Sequence, residues 1–215
     1  MSGRPRLLIV NPNTSVSVTR WLVEEAEHVA RGRVEIAALN APSGLSAIQT
    51  PEELVRAAQA VVATIEKDAG AGAAVIGAFG DPGLAEARAR LSIPLVGLGE
   101  AGLKAAANGR RFAIVTLGEA MRTALAERVR SLGLEDRLTE IRILPVTIPD
   151  MIANREAHVD AIVGAIRRCA GDAVLLGGAP FAGLGTKMTE QAGVTVLDGV
   201  EACVSAALRI LGSGD

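Results

Sequence analysis

Three short turns carry most of the side chains suited to acting on a small molecule. The first, "NPNTS" at residues 11–15, sets two amides, Asn11 and Asn13, beside two hydroxyls, Thr14 and Ser15. Amides and hydroxyls donate and accept hydrogen bonds, which suits a carboxylate or a polarised carbonyl. Asn13 to Ser15 also read as the cap of a following helix, whose free N–H groups attract the same kind of ligand. The second turn, "AFGDPGL" at 78–84, brings one carboxylate, Asp81. Gly80 and Gly83 allow tight backbone geometry, and Pro82 fits the first turn of a helix. Asp81 is then either that helix's N-cap or a base. The backbone N–H groups of Phe79 and Gly80 can form an anion nest. The third turn, "GGAPFAG" at 177–183, offers the backbone amides of Gly178 and Ala179, with Phe181 as an apolar wall.

Other candidates lie outside these turns. Thr116 ends an apolar run with a hydroxyl that can face a ligand. Glu100 follows "LVGLG" and either points to the same ligand or caps its own helix. Cys169 and Cys203 sit in helical patterns and read as small buried hydrophobes, not as turn-borne nucleophiles. His28 and His158 also have helical contexts, so no Ser–His–Asp triad or zinc cluster can be assembled. The available bases are Asp81, Glu100, or a water held by Asn11.

The elements that must position these turns alternate regularly. Strands are expected at 6–10, 34–38, 73–77, 95–97, 112–116, 141–146, 173–177 and 194–197. Helical patterns lie between them, at 17–31, 51–67, 119–132 and 155–169 among others. Continuous apolar strands alternating with helices imply an α/β fold with parallel sheet covered on both faces. "VIGAFGDPGL" at 75–84 returns one hundred positions later as "LLGGAPFAGL", and "LLIVNPNTS" is echoed by "FAIVTLGEA". The chain is therefore expected to form two pseudo-symmetric lobes, residues 1–98 and 99–199. The terminal helix within 200–215 is placed back on the first lobe. In open α/β sheets ligands bind outside the carboxyl ends of the strands, which puts the site in the cleft, with Ala78 and Gly178 on opposite sides.

Composition narrows the function classes. The 215 residues are 49% hydrophobic, and 22 basic residues nearly balance 24 acidic ones. No basic stripe with interleaved aromatics suggests nucleic acid. One Trp, three Phe and no Tyr leave an aliphatic core. The first apolar run is shorter than a signal peptide's, and no stretch reaches membrane-spanning length. The expectation is a soluble cytoplasmic protein without membrane or nucleic-acid partners.

The ordered set "NPNTS", "GAFGDPGL", "IPLVGLGEAG", "GRRFAIVT", "LLGGAPFAGL" and "VLDGVEA" resembles the hydantoin and allantoin racemase branch of the aspartate/glutamate racemase superfamily. The resemblance covers nearly the whole chain. It implies a cofactor-free site between two lobes, a small-molecule ligand and a homo-oligomer. It also implies one catalytic cysteine per lobe, one thiolate removing a Cα proton and the other thiol protonating the opposite face. By motif matching those cysteines fall on Ala78 and Gly178, and both are absent. Pro180 and Phe181 depart from the family pattern as well. The ligand cradle of Asn11, Asn13, Thr14, Thr116 and backbone amides is retained.

Two functions compete on this reading. One is cysteine-independent chemistry on a small carbonyl compound, a cyclic ureide or amino-acid derivative, with Asp81 or Glu100 as base. The other is a degenerate paralogue that binds such ligands without turnover. Racemase chemistry in the family sense stands third.

Overall fold

The computed structural model describes residues 4–68 and 70–212. Among the described residues, eight strands form two parallel four-stranded sheets. The first contains β1 (Arg6–Asn11), β2 (Glu35–Asn40), β3 (Ala73–Ile76) and β4 (Leu95–Gly97), in the order β2-β1-β3-β4. The second contains β5 (Phe112–Thr116), β6 (Leu138–Ile143), β7 (Ala173–Gly177) and β8 (Thr195–Asp198), in the order β6-β5-β7-β8. The shared order makes the two lobes copies of one design. The runs "AAVI", "FAIVT" and "AVLLG" are buried at every position, as strands covered on both faces require.

Helices α1 (Val16–Ala30), α2 (Pro51–Ile65) and α3 (Leu84–Arg90) cover the first sheet. Helices α5 (Arg122–Ser131), α6 (Ile148–Ala153), α7 (Val159–Arg167) and α8 (Gly185–Ala192) cover the second. Two helices cross over. In α4 (Leu98–Ala107), Leu103 and Ala106 pack with Phe112, Ile114 and Leu175 of the second sheet. In α9 (Gly199–Ile210), Val200, Cys203, Val204 and Ala207 pack with Leu7, Ile9 and Val75 of the first sheet and with Leu22 of α1. The crossing helices meet where a Cβ on Gly102 would lie 3.2 Å from the Gly199 Cα. The last strand of each sheet is thus followed by a helix that packs into the core of the other sheet.

Several boundaries differ from the sequence expectation. β6 starts at Leu138 and ends at Ile143, earlier than 141–146. Thr139, Glu140 and Arg142 are tolerated there because this is an edge strand, and Pro145 has no N–H to extend the ladder. The helix expected at 155–169 opens as a 3-10 turn, Arg155–His158, before α7 begins. Short α6 was not expected; Thr147 caps it by accepting from Asp150 N at 3.2 Å. The helix expected from 119 also opens as a 3-10 turn, Glu119–Met121. The lobe limits 1–98 and 200–215 include residues 1–3 and 213–215, which lie outside the described residues. Among the described residues, no helix is long and apolar enough to cross a membrane.

Cys203 is fully buried in the α9 core, and Cys169 is half-buried at the end of α7. Burial pushes both thiols up. Native protein treated with iodoacetamide is expected to take one adduct, at Cys169, with its melting temperature unchanged within about 2 °C because a half-exposed site bears little packing. Two adducts on the native protein, read by mass spectrometry, would show that the α9 core opens.

Candidate functional site

The turns following β1, β3, β5 and β7 converge between the two sheets, around a cavity of about 410 Å³. At the end of β1, Asn11 is wholly buried and its amide donates to Thr19 Oγ1 at 2.9 Å and to the Ser15 carbonyl at 3.2 Å. Its Oδ1 accepts the Asn13 N–H at 3.2 Å. Asn13 Oδ1 accepts from Ser15 N at 2.9 Å, and Ser15 Oγ accepts from Val18 N to cap α1. Thr14 donates from both its N–H and its hydroxyl to the Leu45 carbonyl. Of the expected cradle residues here, Asn13 lines the cavity; Asn11 and Thr14 shape the turn behind it. Asn13 Nδ2 has no protein acceptor among the described residues.

After β3, Ala78, Phe79 and Gly80 all line the cavity. Phe79 reaches the second lobe, where a Cβ on Gly177 would lie 2.8 Å from its ring. That close approach explains glycine at 177. Asp81 adopts a left-handed φ of 48° and does not cap the helix that follows it, which begins after Gly83. Its carboxylate turns back to accept from Gly99 N at 2.8 Å and Glu100 N at 2.7 Å, capping α4. Gly97 leaves α4 without a side-chain cap of its own. Arg128 Nη2, from α5 in the second lobe, joins Asp81 Oδ2 at 3.2 Å. Burial pushes Asp81 up to about 6, against the lowering influence of the two backbone N–H groups and Arg128.

Glu100 does not cap α4. It sits in the first turn of that helix and receives Lys104 at 2.5 Å, Arg88 at 2.9 Å and Arg128 at 3.2 Å. Against a burial penalty, Lys104 and Arg88 hold its carboxyl below the usual range. Neither Asp81 nor Glu100 is among the residues lining the cavity, because both are drawn to the α4 N-terminus and its cations. Arg128, which bridges them, does line it.

In the second lobe, Thr116 lines the cavity and its hydroxyl donates to the Gly177 carbonyl in a short hydrogen bond. Its oxygen then remains an acceptor. Gly178 and Ala179 also line the cavity. Gly178 has φ 155°, a conformation that L side chains rarely adopt. Phe181 is not the expected wall: it is fully buried in the second core, and Pro180 takes the wall position. His28 and His158 lie away from the cavity.

The residues missed from sequence are mostly aliphatic. Ala47 and Ile48 precede α2, Leu54 lies on it, and Ile148 and Ile152 lie on α6. Met121, Ala124 and Leu125 come from the α5 region, with Glu127 and Ser131 beside Arg128. One signal was available: "IQTPEEL" at 48–54 and "VTIPDMI" at 146–152 are equivalent helix starts in the two lobes. Nothing in sequence marks the α5 contribution. Glu127 and Arg128 are the titratable side chains among the described cavity-lining residues. Positions 78 and 178 present a methyl group and a bare backbone.

A family model described as Asp/Glu/Hydantoin racemase matches residues 7–207. The hydantoin racemase of Pseudomonas sp. (strain NS671) is 30% identical over 216 residues, spanning 97% of this chain and 87% of its own length. The solved allantoin racemase from Klebsiella pneumoniae superposes with a TM-score of 0.88 at 27% identity, covering 98% of this chain and 89% of that one. Allantoin racemase from Pseudomonas fluorescens superposes equally well, at 0.88 and 28% identity, with 97% and 92% covered.

Proposed function

The chain belongs to the Asp/Glu/hydantoin racemase family, and from that premise we propose that its interlobe cavity binds a small carbonyl compound without moving a proton at its carbon. The ligand class is a cyclic ureide or a related amino-acid derivative. One observation carries the reading: the cavity is formed by the strand-end turns of both lobes, yet Ala78 and Gly178 bring no proton-transfer group to it. Moving a proton at carbon requires a positioned acid or base. Asn13 Nδ2 supports a ligand carbonyl, and the Thr116 oxygen supports a ligand N–H.

The test pairs binding with exchange. Hydantoins, allantoin, aspartate and glutamate are offered to the protein in D₂O near neutral pH. A ligand at a hundred times its Kd is expected to stabilise the fold by about 2.7 kcal/mol, roughly 5–10 °C. NMR is expected to show loss of the Cα proton no faster than in buffer. Protein-dependent exchange would overturn the reading.

A second reading, cysteine-independent turnover, draws on Glu127 beside Arg128 at the cavity. It requires that Glu127→Gln abolish any exchange observed.

A further inference from the structure

We propose that the lobes are joined beside the cavity by a proton-sensitive seam. When Glu25 of α1 gives its proton to solvent, its charge meets Asp198 of the second lobe, and the Arg155–Trp21 contact at the cavity's edge loosens. Both sides of the seam continue the cavity lining. Val18 of α1 and Ile152 of α6 line the cavity, and Trp21 and Arg155 stand three residues beyond them. The Arg155 guanidinium lies 4.3 Å from the centre of the Trp21 ring, a distance at which a cation and an aromatic face attract. Its Nη1 also donates to the Ala182 carbonyl at 2.8 Å, in the turn that carries Pro180 of the cavity wall. First-lobe α1 is thus fastened to two second-lobe segments.

Glu25 lies one helical turn beyond Trp21, on the same face of α1. It rests on the turn before α8, where a Cβ on Gly183 would come within 3.1 Å of Glu25 Oε2. Asp198, buried at the end of β8, accepts from Gly183 N at 3.1 Å, Gly185 N at 3.2 Å and Val200 N at 3.0 Å. Glu201 follows in the first turn of α9. These two acids are the charged groups that act on Glu25 from the elements packed against it. The nearby cation, Arg155, is committed to Trp21 and Ala182. On α1 itself, Arg20 pairs with Glu24 at 3.7 Å and His28 is exposed. Glu25 has no hydrogen-bond partner among the described residues. Burial first, then Asp198 and Glu201, push its carboxyl up to about 7. Ionisation near neutrality therefore sets an undonated, half-buried charge beside like charges. The Asp81–Arg128 pair ties the lobes elsewhere, so this seam can loosen without parting them.

Trp21 is the chain's one tryptophan and reports the seam directly. Its emission, and its quenching by acrylamide, are followed on the full chain from pH 5 to pH 9. A red shift and stronger quenching are expected together, with a midpoint of about 7. Glu25→Gln, neutral and of the same shape, should lose both changes. It should also melt about 2–4 °C above the wild type at pH 8. That gap should widen as pH rises from about 4.5 to about 7, because the folded state holds the Glu25 proton more tightly than the unfolded chain does. Arg155→Gln keeps the acid but removes the cation from the ring, and should show the exposed emission already at pH 5. A wild-type signal that stays flat through pH 7 overturns the seam, as does the same titration in Glu25→Gln or a melting gap that does not widen. Arg155→Gln that titrates like the wild type overturns the latch.

Discussion

Asp81→Ala is expected to lower folding stability by about 3–5 kcal/mol, the size of effect seen when one partner of a buried, hydrogen-bonded charge is removed. The Asp81 side chain is 2% exposed and satisfies two N–H groups at the start of α4 while pairing with Arg128 across the lobes. Its loss orphans both donors in a helix whose N-cap position is a glycine. It also cuts one of the polar ties between the lobes. For a chain of this length the melting temperature should drop by roughly 6–20 °C. Asp81→Asn, which keeps one acceptor but turns an NH₂ toward the other donor, should fall between the two. The acid has a further signature. Burial raises its folded pKa to about 6, above the ordinary carboxylate range. The folded state therefore holds the proton more tightly, so this contribution is complete at low pH and is lost as pH rises to about 6. The Asp81→Asn variant should lose that slope. Urea titrations at pH 4, 5, 6 and 7 measure both effects; a loss below about 1 kcal/mol for Asp81→Ala would sink the capping role.

Ala78→Cys should give the cavity a thiol that exchanges a carbon-bound proton on one face only. The position lines the cavity and already carries a Cβ, so the added sulfur needs no backbone change. A positioned base accelerates proton transfer by about a hundredfold or more. Deuterium should therefore enter the Cα of a bound 5-substituted hydantoin. Inversion should not accompany it, because position 178 offers no acid to the opposite face. Supplying a second group at position 178 is harder. A Cβ at Gly178 has room, with Phe181 at 3.4 Å and Pro180 at 3.5 Å, but φ 155° is strained for an L residue. Gly178→Cys should cost about 1–3 kcal/mol, and the double variant should racemise far more slowly than it exchanges. Chiral chromatography beside deuterium NMR separates the two outcomes. Bound ligand with no exchange in Ala78→Cys would mean that the ligand's carbon does not face position 78.

The duplicated architecture was legible because its signals are local. "LLIV", "AAVI", "FAIV" and "AVLL" are buried strands wherever they occur, and the repeat between 75–84 and 175–184 marks equivalent turns. The turns themselves were legible for the same reason: glycine, proline, asparagine and threonine act on the backbone within a few residues. Asn13, Ala78, Phe79, Gly80, Thr116, Gly178 and Ala179 were all named from those patterns, and all line the cavity.

What lay beyond the sequence depends on contacts between distant segments. Asp81 followed by Pro82 reads as a local cap, but its left-handed backbone sends the carboxylate to a helix eighteen residues away. Glu100 reads as a cap or a base until Arg88, Lys104 and Arg128 are seen to claim it. Phe181 reads as a cavity wall, yet the second core takes it and leaves Pro180 in its place. Leu54, Ile148 and Ile152 have ordinary helical spacing and acquire meaning only when α2 and α6 line one cavity from opposite lobes. Sequence by itself determined the strands and the turns, because these follow from residue type and near neighbours. Tertiary structure alone decided which carboxylates line the cavity and which hold the lobes together, because a charged group goes to its strongest partners in space, however far away they are in the chain.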